Sequence, residues 1–205
     1  ENADLWAEQV RKGWDSYREH FNNPAFFQFM GDLSGKTVLD AGCGEGYNTR
    51  LLAKKAARVV GVDISKKLID LARQQEQKEP LGIQYIVSSF ADLSFFSDSS
   101  FDTVLSFMAL MDGPHYEQAI KEIFRILRPS GNLIFSVTHP CFITKGIGWV
   151  KDEKGDPEKL TVSDYYAGYP WLEQWRFSQV PVPENCEPFK VPRFPRTLSE
   201  YINTL

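Results

Sequence analysis

The sequence predicts a doubly wound α/β fold, and three observations carry the prediction. Five short, nearly continuous Val/Ile/Leu runs recur between residues 36 and 139, most of them separated by stretches with helical spacing. A turn holding Gly42, Gly44 and Gly46 closes the first run, and Asp63 closes the second. Strands covered by helices on both faces of a parallel sheet read as unbroken apolar runs rather than alternating ones.

The elements follow in order. Residues 4–21 place Trp6, Val10, Trp14, Tyr17 and Phe21 at steps of four, four, three and four, which is one face of an amphipathic helix. "NNPAFFQFMGDLSGK" reads as a turn, a short helix opened by Pro24, and a loop. "KTVLDAG" is strand 1, "YNTRLLAKKA" a helix and "RVVGVD" strand 2. "SKKLIDLARQQEQK" is a helix that Ser65 is placed to cap. "IQYIVSS" is strand 3, "SFFSDSS" a loop and "FDTVLSF" strand 4. "GPHYEQAIKEIFRIL" is a helix stopped by "RPSG", where Pro129 cannot continue it and Gly131 can turn the chain; "NLIFSVTH" is strand 5.

The pattern then breaks. Residues 140–196 hold most of the prolines and a run of aromatics from Trp149 to Phe177, too aromatic for a linker and too irregular for another βα repeat. They are read as an insertion folding over the carboxyl edge of the sheet. Thr197 and Glu200 have the spacing of a capping box, so a helix opens there. The divisions are therefore 1–33, an amino-terminal helical cap; 34–139, the α/β core; 140–196, the insertion; and 197–205, the start of a further core helix.

Composition narrows the function classes. A chain of 205 residues, 42% hydrophobic and 24% charged, suits one soluble domain. With 23 basic against 27 acidic residues and no basic stripe, a duplex-binding surface is disfavoured. No apolar run approaches the roughly 20 residues of a membrane helix, and no signal peptide opens the chain. Cys43, Cys141 and Cys186 are too scattered for a disulfide framework or a zinc site, so a reducing cytoplasm is the expected location. The first residue is Glu rather than Met, which suggests trimming.

The glycines ask for a ligand. In open α/β sheets ligands lie beyond the carboxyl ends of the strands, where strand order reverses, and a glycine lets a ligand approach the backbone. A G-x-G-x-x-G dinucleotide fingerprint started at Gly42 needs glycine at position 47, which is Tyr. Asp40 and Glu45 make the turn acidic, which suits a cationic ligand end better than a pyrophosphate. Asp63, at the tip of the neighbouring strand, can accept both hydroxyls of a ribose.

"VLDAGCGEGYNTRLL", "VVGVDIS", "FDTVLSFMALM" and "LRPSGNLIFSV" together resemble the class I S-adenosylmethionine-dependent methyltransferases of the small-molecule type, over roughly residues 34–138. The resemblance implies a Rossmann-like sheet of order 3-2-1-4-5 and S-adenosyl-L-methionine as cofactor, leaving as S-adenosyl-L-homocysteine. It implies that Asp40 orders the glycine loop near the methionine amino group. Gly42, Cys43 and Gly44 would line the methionine moiety, Asp63 hold the ribose and Ile64 pack beside the adenine. Ser106 and Phe107 would line the far side near the sulfonium. Many relatives carry Asp-Ala after strand 3; here Ser89-Phe90 stand there, with Asp92 two positions on as a substitute adenine partner. Trp14 and Tyr17 are candidates for a helical cap over the cofactor, and Tyr17 is taken as a contact.

The remaining polar candidates are few. His139 stands at the tip of strand 5 on the reactive edge, where it could act as a base or serve as structure. His115 is expected in solvent, and Cys141 lacks an activating partner. The insertion would form a substrate lid and build the acceptor pocket. The expected reaction moves a methyl group to an N, O, S or C atom of a small molecule, with no metal, nucleic-acid or membrane partner. A nicotinamide-dependent oxidoreductase and a non-catalytic nucleotide-binding sensor or scaffold are the alternatives. Similar enzymes end in two further strands, so this chain is expected to be part of a longer one. Were those strands absent, the open edge of strand 5 would suit a second copy in a homo-oligomer.

Overall fold

The computed structural model describes residues 2–55, 57–177 and 188–205; Cys186 lies outside them. Five strands form one parallel sheet: β1 (Thr37–Ala41), β2 (Arg58–Asp63), β3 (Gln84–Val87), β4 (Phe101–Phe107) and β5 (Leu127–Ser136), in the order β3-β2-β1-β4-β5. The expected topology is thus observed. Strand order reverses between β1 and β4, so the tip of β1 lies at the switch point. The register Asp40↔Gly61 and Ala41↔Val62 sets the tips of β1 and β2 side by side.

Successive side chains of β1 point to opposite layers, as the strand period demands. Val38 packs with Phe26, Met30 and Leu33 of α2 (Asn23–Phe29) and the loop after it, and with Leu52 of α3 (Tyr47–Lys54). Leu39 packs instead with Ile120, Ile123 and Ile126 of α5 (Tyr116–Ile126). Against β2 and β3 lies α4 (Lys66–Lys78), seated through Ile69 and Ala72 beside Tyr85. The Ser65 hydroxyl accepts the Leu68 N–H at its start, the expected cap. Arg73 of α4 donates twice to the Tyr85 carbonyl on the edge strand β3, which blunts an edge otherwise open to pairing.

Three expectations need correction. Residues 4–21 are not one helix: α1 spans Ala3–Arg11, and Gly13 then takes φ +73°. A π-helical turn, Arg18–Asn22, precedes α2. The apolar stripe therefore splits. Trp6 and Val10 are packed, whereas Tyr17 and Phe21 are 67% and 72% exposed. The second correction concerns 128–131, expected as a turn before strand 5. It already belongs to β5, with a register irregularity against β4 and Ser130 at φ +64°.

The third correction concerns the insertion, which forms two antiparallel hairpins rather than irregular chain. One joins β6 (Gly148–Lys151) to β7 (Pro157–Thr161), and the other joins β8 (Trp171–Trp175) to β9 (Phe189–Arg193). Trp175, Phe177 and Phe189 enclose Trp6, with ring centroids 5.2–5.5 Å from it. That aromatic cluster welds the second hairpin to α1. A last helix, α6 (Leu198–Asn203), opens on a complete capping box between Thr197 and Glu200.

Candidate functional site

The glycine turn is held from below. The N–H groups of Gly42 and Cys43 both donate to the Val62 carbonyl, at 2.8 and 3.0 Å. Gly42, Gly44 and Gly46 take φ of +86°, +57° and +83°, the left-handed region that side chains disfavour. Their surroundings differ. A Cβ on Gly42 would stand 2.3 Å from that of Ala109, and one on Gly46 would stand 2.4 Å from the Tyr85 hydroxyl. A Cβ on Gly44 would meet no protein atom within 4 Å. Gly42 and Gly46 are glycine for packing, and only Gly44 borders open space.

Asp63 faces that space. One carboxylate oxygen accepts the Gly44 N–H at 2.8 Å and the other accepts the Ser65 N–H at 2.8 Å. Burial raises its carboxyl above the ordinary range, and the two N–H bonds oppose that rise. Each oxygen keeps a further lone pair, so the group is oriented yet unsaturated. Ile64, next along the chain, is 76% exposed.

Asp40 is fully buried at the end of β1. One oxygen accepts the Thr49 hydroxyl of α3 at 2.7 Å, and the other has no hydrogen-bond partner. Burial lifts its carboxyl to about 7, with Thr49 opposing the rise and Asp63 adding to it. An orphaned buried carboxylate oxygen is the kind of group a cationic partner would satisfy. Glu45 also has a buried oxygen with no hydrogen-bond partner, but cations of the chain already hold its carboxylate, contrary to the reading of the turn as doubly acidic. It is buried, and its carboxylate meets Arg50 of α3 at 3.3 Å and Arg11 of α1 at 3.4 Å.

The other candidates scatter. Phe90 packs against the core: its ring is the nearest obstacle to a Cβ on Gly113 and also approaches Gly42. Beside it, the Ser89 hydroxyl accepts the Ala91 N–H. Asp92 is exposed and takes Ser94 as its partner. Ser106 does not line the crevice, because it is fully buried and its hydroxyl donates to the Ala41 carbonyl at 2.8 Å. Phe107 turns away as well, stacked on Phe26 with centroids 4.0 Å apart. Cys43 is buried with its thiol pushed well up, chiefly by burial. His139 is exposed beyond β5, and its Nδ1 accepts the Cys141 N–H at 3.2 Å as the cap of a short 3₁₀ turn. His115 is exposed at the start of α5.

Spacing alone did not reveal the turn after β4. Met108 there is a non-glycine residue at φ +53°, fixed by its N–H bonding the Ser136 carbonyl at 3.0 Å. Strained residues of this kind persist where the surroundings over-determine them. The turn presents Ala109 to Gly42, buries Leu110 in the core and sends Asp112 toward the hairpin. Arg193 of β9 meets Asp112 at 3.3 Å and Glu173 of β8 at 2.6 Å. Arg196 donates to the carbonyls of Met111 and Gly113. The hairpin is therefore fastened to the β4 turn on one flank and, through α1 and Arg11, to the glycine turn on the other. Between the β4 turn and the hairpin is a narrow crevice of about 10 Å³, room for one water, lined by Asp112, Thr138, Ile143, Arg193 and Tyr201 among others. Among the described residues no cluster of three or more His, Cys, Asp or Glu could hold a metal, and no helix is long and apolar enough to cross a membrane.

Comparison with known proteins agrees with this geometry. Residues 39–135 match the family model for a methyltransferase domain. A ubiquinone biosynthesis O-methyltransferase of Coxiella burnetii is 33% identical over 127 residues, 60% of this chain and 53% of that protein. The chain thus spans about half the length of the curated relatives it matches. An S-adenosylmethionine-dependent methyltransferase of Mesorhizobium loti superposes with a TM-score of 0.71 at 25% identity, covering 89% of this chain and 77% of that one. A Listeria monocytogenes protein assigned to the same activity gives 0.71 at 27%, covering 90% and 78%. The glycine turn, the acid at the tip of β2, the sheet order and these likenesses make residues 39–135 similar to a methyltransferase domain, in a fold shared with S-adenosylmethionine-dependent methyltransferases of known structure.

Proposed function

We propose that the chain binds S-adenosyl-L-methionine across the tips of β1, β2 and β4 and transfers its methyl group to a hydroxyl of a small molecule held under the β8–β9 hairpin. One observation carries the reading. Asp63 is strapped by the Gly44 and Ser65 N–H groups with lone pairs to spare, directly beside the one glycine of the turn that faces open space. A vicinal diol is the partner such a carboxylate is set to take.

The other residues fit the same ligand. Asp40, with its unpartnered oxygen, would face the ammonium, while Gly44 and Cys43 border the methionine chain. Ile64 and Phe90 would flank the adenine, with Ser89 beside it. Tyr17, exposed on the amino-terminal segment, is free to close over the crevice. When bound, that cofactor supplies a methyl group already activated on a sulfonium, so the chain's own task is to align the acceptor and keep water out. The hydroxyl acceptor is suggested by the O-methyltransferase relatives. The aromatic hairpin, with the 140–196 segment as lid, supplies the apolar walls a small molecule needs. A cytoplasmic location suits this reading.

Calorimetric titration with S-adenosylhomocysteine is the direct test, and one-to-one binding is expected. The titration should also release protons. Asp40 is part-protonated near pH 7, and an ammonium beside it favours the carboxylate, so binding drives a proton off. Titrations at pH 6.5 in buffers of differing ionisation heat should show up to about one proton released, and far less at pH 9. Absence of binding, with tight binding of NADH instead, would revive the oxidoreductase alternative. Binding without transfer to any acceptor in a metabolite extract would favour a sensor.

A further inference from the structure

We propose that the cleft between the 163–168 loop and the start of α6 is a second binding site, one that takes a small alkylated ammonium ion. The cleft holds about 290 Å³, room for a compact organic molecule, against the 10 Å³ of the crevice beside Asp112. Tyr165 and Tyr166 line it from the loop, and Pro195, Arg196 and Glu200 from the other side. None of its lining residues belongs to the glycine turn or is Asp63, so the proposal stands apart from the cofactor reading.

Local backbone sets the aromatic wall. Asp164 takes φ +61°, and its carbonyl accepts the Ala167 N–H at 3.0 Å, which folds Tyr165 and Tyr166 into one turn. The Tyr165 hydroxyl then accepts the Leu198 N–H at 2.8 Å and ties the loop to α6. The two rings stand 79° apart with centroids at 4.9 Å, and so make a corner. Tyr166 is 86% exposed. Nearby tyrosines already have a cation of the chain over them: Lys145 lies over Tyr169, and Arg196 over Tyr116 and Tyr201. Among the described residues, Tyr165 and Tyr166 have none. An aromatic face carries negative charge density, which attracts a cation held within about 6 Å of it.

The polar groups select the same sign of charge. Glu200 gives Oε2 to the N–H and the hydroxyl of Thr197, at 2.6 and 2.8 Å. Chiefly through that backbone bond, its carboxyl is held below the ordinary range, so it is ionised at neutral pH. Its Oε1 has no hydrogen-bond partner among the described residues. An anion would find the best donors spent. Arg196 commits Nη1 to the Met111 carbonyl and Nη2 to that of Gly113. The Leu198 and Glu200 N–H groups of α6 are held by Tyr165 and Thr197. Alkyl groups on the nitrogen suit the remaining surface, because they pack on the two rings and on Pro195 where a bare ammonium would keep its water.

The test titrates the full chain with choline, with neohexyl alcohol, in which a carbon replaces the nitrogen, and with tert-butylacetate as the anion. Binding is read by proton NMR at neutral pH, in one series with saturating S-adenosylhomocysteine and in another without it. Choline should bind in the millimolar range in both series, its methyl protons shifted upfield by the tyrosine rings. The neutral analogue should bind at least about fivefold more weakly, and the anion more weakly still. Tyr166→Leu should weaken choline at least about fivefold, whereas Tyr166→Phe keeps the ring face and should stay within about twofold. Glu200→Gln keeps an oxygen for the Thr197 cap and should lose about threefold or more. Thermal melting checks that each variant is folded. Equal binding of choline and its neutral analogue, or tighter binding of the anion, overturns the assignment. So does choline binding that neither Tyr166→Leu nor Glu200→Gln weakens, and so does no binding at about 50 mM choline. Each of these leaves the cofactor reading standing, since that reading fails only where S-adenosylhomocysteine itself does not bind.

Discussion

Asp63→Ala should weaken S-adenosylhomocysteine binding by at least about 100-fold, with the fold retained. On the proposed reading the carboxylate receives two ribose hydroxyls, and a hydrogen bond to a charged acceptor contributes about 1.5–3 kcal/mol. Losing both exceeds the 2.8 kcal/mol or so that separates a 100-fold change in affinity. The substitution also frees the Gly44 N–H, which now bonds Asp63 at 2.8 Å, so the turn itself loosens. Asp63→Asn is not a gentle replacement. Both oxygens already accept backbone N–H groups, and an amide nitrogen on either side would face a donor. Asn should therefore bind nearly as poorly as Ala. Calorimetry measures the loss, and thermal melting checks that the sheet survives. Affinity unchanged in both variants would mean that the sugar lies elsewhere.

That acid was legible in the sequence because everything it needs is local. It ends an apolar run, 21 positions past Gly42, and β1 and β2 lie side by side in register. The same holds for β4, which spans the expected Phe101–Phe107, for α4 with its Ser65 cap and for the Thr197–Glu200 box. Each is fixed by a period or a cap within a few residues. Misreadings arose where distant chain decides. The apolar period of the amino-terminal stretch runs straight through Gly13, but Trp6 finds its partners about 170 residues away in the second hairpin, and nothing comparable covers Phe21. Glu45 looked like a free acid until Arg11 and Arg50 neutralised it. Ser106 looked like a crevice residue, yet its place in β4 turns the hydroxyl to the neighbouring strand. The Asp112–Arg193 pair was not legible because its members lie 81 residues apart. Local pattern reveals the glycine turn and the acid beside it, whereas the contacts of the insertion join residues far apart in the chain.

Gly42→Ala and Gly44→Ala should fail in opposite ways, and the contrast separates packing from ligand contact. Both residues have positive φ, which costs an L-residue about 1–2 kcal/mol. At Gly42 the new methyl also collides with the Ala109 Cβ, 2.3 Å away, and Ala109 sits on a turn whose next residue is locked in the core. Overpacking of that kind adds about 1–3 kcal/mol. Gly42→Ala should thus lose about 2–5 kcal/mol, lowering the melting temperature by about 10 °C at this chain length. At Gly44 the methyl meets no protein atom, and the N–H that holds Asp63 is untouched. Its melting temperature should fall by only about 2–8 °C, the backbone cost alone. On the proposed reading that methyl projects into the space of the methionine chain and clashes with the ligand. S-adenosylhomocysteine affinity should drop about 10- to 100-fold, since overpacking a filled site costs about the same as overpacking a core. Melting curves with and without S-adenosylhomocysteine read both effects at once. A Gly44→Ala protein that is stabilised by the ligand as strongly as wild type would show that nothing binds against this glycine.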